Sequence, residues 1–74
     1  MTRESAIATC IKEVNDHQAA LFGVSYDKKY EIMIDLYGIV KELSSNFIHT
    51  MEDVNKFRSV ARQISLMSQH LLPS

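Results

Sequence analysis

Three histidines are the side chains in this sequence best suited to bind a metal ion or transfer a proton, and they are widely separated. His17, His49 and His70 fall in three different segments of the 74-residue chain. Glu13 precedes His17 by four residues, so on a helix the two side chains could share a metal with a third ligand. The other histidines are not spaced to supply that ligand. We therefore interpret Glu13 and His17 as a solvent-facing polar pair, and the sequence predicts no metal site.

Cys10 is the only thiol, and nothing in the sequence activates it. On one helix, Cys10 and His17 would be about 10 Å apart along the axis, which is too far for a thiolate–imidazole pair. We predict that Cys10 is a small buried apolar residue. The carboxylates of Glu31 and Asp35 share a helix face but have lysine neighbours, as expected of a solvated surface. With no phosphate-binding loop or serine-nucleophile motif, the sequence predicts a non-enzymatic protein without a cofactor.

A polar stripe in the third segment raises the question of nucleic-acid binding. Its side chains can contact bases or phosphates, and its members at helical spacing are Asn55, Arg58, Arg62 and Gln69. However, Glu52 and Asp53 occupy the N-terminal turn, where a recognition helix usually contacts DNA. The ordinary alternative is a solvent-exposed face. The sequence disfavours a nucleic-acid partner, and a small dimeric DNA-binding regulator remains the alternative function.

The middle segment has more apolar surface than one neighbouring helix can cover. Two stripes follow the alternating three- and four-residue step of a helix face. One is aliphatic and consists of Ile32, Leu36, Ile39 and Leu43. The other is rich in tyrosine and consists of Tyr26, Tyr30, Met33, Tyr37, Val40 and Phe47. Together they span about half of the helix circumference, so two flanking helices or a partner chain must cover them.

We hypothesise that the tyrosine-rich stripe binds a partner chain. Tyrosine and methionine are enriched at protein interfaces because they combine a large apolar body with a polar or adaptable tip. The predicted partner-binding residues are Tyr26, Tyr30, Met33 and Tyr37. Gly38 would allow a partner to approach closely. The alternative is that the first and third helices cover both stripes within one chain.

The segments that must position these residues are three helices with short links. Periodicity predicts helices at about 3–22, 27–47 and 51–71. The expected N-caps are Thr2 for the first helix, Ser25 or Asp27 for the second, and Thr50 for the third. Gly23 is predicted to end the first helix in a left-handed conformation, and Pro73 is predicted to stop the third.

Within the first helix, the predicted buried stripe is Ile7, Ile11, Val14 and Leu21. Short links favour antiparallel neighbours. We expect one all-α domain over residues 1–74, built as an up-down three-helix bundle. Dimerisation could complete this bundle. The alternative is a helical hairpin whose third helix completes a dimer.

Composition limits the remaining function classes. Eight Lys and Arg against nine Asp and Glu give a net charge of −1, with no basic block for nucleic acid and no acidic tail. No apolar run is long enough to cross a membrane, and Met1–Ser5 does not begin a secretory signal. A single cysteine fits a reducing compartment, so we expect a cytoplasmic location.

These observations converge on a small non-enzymatic protein-interaction module. We expect a regulator, adaptor, chaperone or inhibitor that docks its helical aromatic surface on another protein, on a second copy of itself, or on both. A few buried aromatic side chains would supply most of the binding energy.

Overall fold

The computed structural model describes residues 2–72 and confirms the predicted all-α three-helix bundle. The helices are α1 (Arg3–Ala20), α2 (Tyr26–Phe47) and α3 (Met51–Met67), and α3 is followed by a short 3-10 helix, Ser68–Leu71. The third α-helix therefore ends earlier than predicted, because its last turn tightens into 3-10 geometry. Pro73, predicted to stop that helix, lies outside the described residues. Between residues 2 and 72, none of the helices combines the length and apolar character needed to span a bilayer.

Side-chain caps fix the start of each helix. The hydroxyl oxygens of Thr2 and Ser25 accept hydrogen bonds from the backbone N–H groups of Ser5 and Lys28, at 3.1 and 3.2 Å. At the start of α3, Thr50 and Asp53 form the reciprocal capping box. These contacts satisfy N–H groups that have no partner within their own helix. Local sequence therefore decides where each helix begins.

Gly23 ends the turn after α1 in the predicted left-handed conformation. Its φ is +74°, a backbone conformation that glycine adopts without the steric cost of a Cβ atom. Gly38, by contrast, lies inside the continuous α2. A Cβ added at Gly38 would have no neighbouring atom within 4 Å. No close contact within the described chain therefore explains this glycine.

The core forms around α1, whose buried residues differ from the predicted stripe. Ala6, Cys10 and Val14 are buried at every fourth position, whereas Ile11 is 48% exposed. The predicted stripe was therefore wrong at Ile11: the small side chains of Ala6 and Cys10 let α1 approach both other helices. The core residues that meet them are Leu21, Met33, Leu36, Phe57, Val60, Ile64 and Met67. Cys10 is completely buried, as predicted.

An ion pair joins the start of α1 to the start of α3. An Arg3 guanidinium nitrogen lies 2.8 Å from Asp53 Oδ1, and Asp53 is only 3% exposed. The other carboxylate oxygen accepts backbone N–H groups from His49 and Thr50, each at 3.1 Å. These hydrogen bonds, with that of His49 foremost and that of Arg3 next, lower the pKa of Asp53 to about 2. Sequence alone predicted the cap but not the arginine.

Acid should destabilise the fold through Asp53. Because the folded-state pKa of Asp53 is lowered from 3.8 to about 2, its stabilising effect is complete above the unfolded pKa. That stabilisation is lost as the pH falls from about 4 through about 2. The measurement is the free energy of unfolding by urea across this range. The variant Asp53→Asn should be less stable at neutral pH and show a flatter acid dependence.

Asp16→Asn is the matched control, because Asp16 is exposed and pairs only with Lys12 on its own helix. This variant should keep the acid dependence of the wild type. An Asp53→Asn protein with an unchanged acid profile would contradict the assignment.

Candidate functional site

A surface groove lies between α2 and the end of α3. α1 packs against both of these helices, whereas α2 and α3 contact each other least. The gap is a groove of about 560 Å³ lined by side chains from residues 30–44 of α2 and residues 61–71 of α3 and the 3-10 helix. We call it the α2–α3 groove. It is the site of this structure that best matches the predicted partner-binding stripe.

One wall of the groove is made by large side chains on the outer face of α2. Tyr30, Ile34 and Tyr37 follow steps of four and three residues, which place them on one helix face. They are 53%, 57% and 62% exposed, respectively. Contiguous exposed apolar side chains of this size are uncommon on monomers and mark interaction sites. We refer to these three residues as the outer face of α2.

The floor and the opposite wall have a different character. Met33 and Ile64 are buried and close the bottom of the groove. The α3 wall presents the small side chains of Ala61, Ser65 and Ser68, also at helical spacing. Small residues opposite large ones leave the space that forms the groove.

The predicted partner-binding stripe is divided by the structure. Tyr30 and Tyr37 line the groove as exposed walls, and Tyr26 is 58% exposed but outside the groove lining. Met33 was wrongly grouped with the exposed tyrosines: it is 5% exposed, and it lies roughly 40–60° around the helix from Tyr30 and Tyr37, towards the core. Ile34 was missed, although its steps from Tyr30 and Tyr37 were visible in the sequence.

The aliphatic stripe of α2 packs inward. Leu36 is completely buried, and Ile32 and Leu43 are partly buried against the core. Val40 and Phe47, which belong to the tyrosine-rich stripe, also pack against the core. Within one chain, α1 and α3 therefore cover the aliphatic stripe and leave the three tyrosines more than half exposed. The single-chain alternative, in which both stripes are covered, is wrong for this structure.

Charge is sparse in the groove. Between residues 2 and 72, Lys41 is the only charged residue that lines it. An incoming surface would thus meet an apolar centre with one cation at the edge, and a carboxylate on that surface could pair with it.

The polar stripe of the third segment lies on the surface. Asn55, Arg58, Arg62 and Gln69 are exposed, and within residues 2–72 neither arginine forms a salt bridge. Gln69 belongs to the 3-10 helix rather than to α3, so the stripe is not one regular helix face. Glu52 remains exposed in the first turn, where it pairs with Lys56 at 3.5 Å.

His17 forms a contact between helices that the sequence did not reveal. Its side chain is only 14% exposed, so the prediction of a solvent-facing pair was wrong. His17 Nδ1 lies 2.7 Å from the carbonyl oxygen of Glu13, and Nε2 lies 2.9 Å from Asp35 Oδ2 on α2. Both ring nitrogens therefore have acceptors, which only the doubly protonated imidazolium satisfies fully.

The pKa of His17 reflects two opposing effects. Burial lowers it, but the hydrogen bonds to Asp35 and to the Glu13 carbonyl outweigh burial and raise the pKa above the ordinary 6.5. Among the described residues, no three His, Cys, Asp or Glu side chains form a group that could hold a metal ion. His17 is best understood as a link between α1 and α2.

Alkaline pH should weaken the His17 link. Because the folded-state pKa of His17 is raised, its stabilisation is fully present below 6.5 and is lost as the pH rises through the folded pKa. Urea unfolding on both sides of this window measures the effect. His17→Gln should remove the dependence, whereas His49→Gln, at an exposed position, should retain it. Equal pH profiles for His17→Gln and the wild type would refute the link.

Truncation of two adjacent residues of α2 should change the free energy of unfolding by very different amounts. Leu36→Ala empties a completely buried position and should cost about 2–5 kcal/mol of the free energy of unfolding. Tyr37→Ala removes a side chain that is 62% exposed and should change it by about 0.5 kcal/mol or less. Urea unfolding in dilute monomeric solution measures both. A comparable loss in the two variants would show that Tyr37 is buried.

The comparisons with known proteins do not add to this picture. No family model matches the chain, and no curated protein or solved structure is significantly similar to it.

Proposed function

We propose that this protein is a small non-enzymatic interaction module that receives an amphipathic helix of another polypeptide chain in the α2–α3 groove. Helix-in-groove docking is one mode of recognition open to a regulator, adaptor, chaperone or inhibitor. The observation that supports the proposal most directly is the exposure of Tyr30, Ile34 and Tyr37 along one wall of an apolar groove. In water these side chains gain from being covered, and nothing within the described chain covers them.

The dimensions of the groove suit a helix. Its α2 wall extends from Tyr30 to Ser44, which is about 21 Å at 1.5 Å per residue, or about four helical turns. A guest helix of that length would insert apolar side chains at three- and four-residue steps, as in other helix-in-groove complexes. With α1, α2 and α3 it would complete a four-helix arrangement.

The chemistry of the groove sets the character of the guest. Full burial of each large apolar side chain contributes about 1.5–3 kcal/mol, and aromatic anchors commonly dominate such interfaces. Tyr30 and Tyr37 are the expected anchors, and Met33 provides an adaptable floor. Because Lys41 is the only charged residue among the described ones that line the groove, a carboxylate at the edge of the guest helix would improve the match.

The alternative function uses the exposed face of α3. Arg58 and Arg62 are free to approach phosphates, but the carboxylate of Glu52 lies at the helix start. Salt separates the two functions: binding through the arginines should weaken steeply with added salt because counterions are released. Binding through the α2–α3 groove should depend on salt only weakly and should be unaffected by Arg58→Gln.

A crosslinking experiment tests the proposed function. A photoreactive phenylalanine analogue replaces Tyr30, and the protein is irradiated in its native cells. We expect a discrete adduct with another polypeptide. Adding Tyr37→Asp should reduce its yield by about tenfold or more, since losing an aromatic anchor and placing a carboxylate in an apolar contact together cost more than about 1.4 kcal/mol.

Leu66→Asp is the matched control. Leu66 is 52% exposed on α3 and lies outside the groove lining. Leu66→Asp should leave the yield of the adduct unchanged. Circular dichroism should show the same helix content for Leu66→Asp and Tyr37→Asp. Equal losses from Tyr37→Asp and Leu66→Asp would refute a groove-specific interaction.

A further inference from the structure

The outer face of α2 continues into a charged residue at each end, Asp27 and Lys41. Asp27, Tyr30, Ile34, Tyr37 and Lys41 follow alternating steps of three and four residues, the spacing of a helix–helix seam. Asp27 and Lys41 are exposed, and within residues 2–72 neither forms a salt bridge. The seam therefore has an apolar centre, an acid at one end and a base at the other.

This pattern is complementary to itself. Asp27 precedes Ile34 by seven residues, and Lys41 follows Ile34 by seven. When two α2 helices lie antiparallel about a two-fold axis at Ile34, each Asp27 meets Lys41 of the other copy. Two opposite-charge contacts then flank an apolar centre, as expected of an isologous interface. A parallel arrangement would instead place like charges side by side.

Gly38 provides an independent observation. Tyr30 and Gly38 are each four residues from Ile34, so the same axis brings Tyr30 of one copy to the same height along the seam as Gly38 of the other, within reach of a tyrosine side chain. A glycine inside a helix costs about 0.5–1 kcal/mol relative to alanine. Its φ is not positive, and no atom lies within 4 Å of the position its Cβ would occupy, so the described part of the chain gives no reason for it. At the height of the tyrosine ring of the second copy, the bare backbone of Gly38 provides room.

From these observations we infer that the chain entering the groove is a second copy of this protein, with the two α2 helices antiparallel about Ile34. The inference rests on the proposed function and names its partner. The small α3 wall of Ala61 and Ser65 leaves room for side chains of the second copy. The tyrosine surface that each copy exposes alone would be covered in the pair.

Light scattering of the purified chain over a range of concentrations is the first test. The expected result is a species with twice the 8.5 kDa mass of the chain, which dissociates on dilution. Lys41→Glu should weaken the dimer, since it places two acids together at each end. The double variant Asp27→Lys, Lys41→Glu should restore the dimer, because each end again has one acid and one base. Lys12→Glu, an exposed change on α1, should leave the dimer intact.

Gly38→Leu separates folding from association. Leucine favours the helix more than glycine does, so the single chain should keep or gain helix content, measured by circular dichroism. The bulk of leucine should nevertheless block Tyr30 of the second copy and raise the dissociation constant by about tenfold or more. A Gly38→Leu protein that dimerises as tightly as the wild type would overturn the inference.

The two proposals fail differently. A wild-type chain that stays monomeric at every concentration overturns the dimer, and so does a charge exchange that fails to restore it. In either case, a Tyr30 adduct with a different protein that depends on Tyr37 would leave the proposed function standing. An adduct of twice the chain mass supports both, and the absence of any Tyr37-dependent adduct removes both.

Discussion

The structure depends on the burial of α1 between the other two helices. A three-helix bundle has three helix pairs, and here the small buried residues Ala6 and Cys10 bring α1 close to both α2 and α3. The third pair, α2 and α3, remains the least filled. Since apolar side chains at that pair cannot all be covered by α1, the groove is a direct result of how the core is distributed. The packing that stabilises the fold is thus also what leaves the outer face of α2 exposed.

Polar contacts, like the apolar core, join α1 to each of the other two helices rather than α2 to α3. Arg3 links the start of α1 to Asp53, Gln18 accepts a hydrogen bond from Gln63 of α3 at 3.3 Å, and His17 links α1 to Asp35 of α2. Within residues 2–72, no side-chain hydrogen bond joins α2 to α3. The width of the groove is therefore set indirectly, through α1. A guest surface could change that width without breaking a hydrogen bond between its walls.

Local signals in the sequence were sufficient for the helices but not for their rotation. The capping box at Thr50 and the left-handed Gly23 depend on neighbouring residues, so their patterns could be recognised. Whether Met33 or Ile34 is exposed depends on where α1 packs, and a shift of about 100° separates consecutive residues on a helix. Arg3 and Asp53 are fifty residues apart, so no local pattern announces their contact. The α2–α3 groove likewise depends on packing between distant segments, because two separate helices form it.

The buried thiol of Cys10 provides a chemical probe of how often α1 separates from the other helices. Cys10 is completely enclosed in the core, and burial raises the pKa of its thiol, so it is both shielded and protonated while α1 is in place. Alkylating reagents react with exposed thiolates. Modification of Cys10 must therefore wait for α1 to separate from its neighbours, and the rate of alkylation reports how often that opening occurs. With one cysteine in the chain, the signal has a single origin.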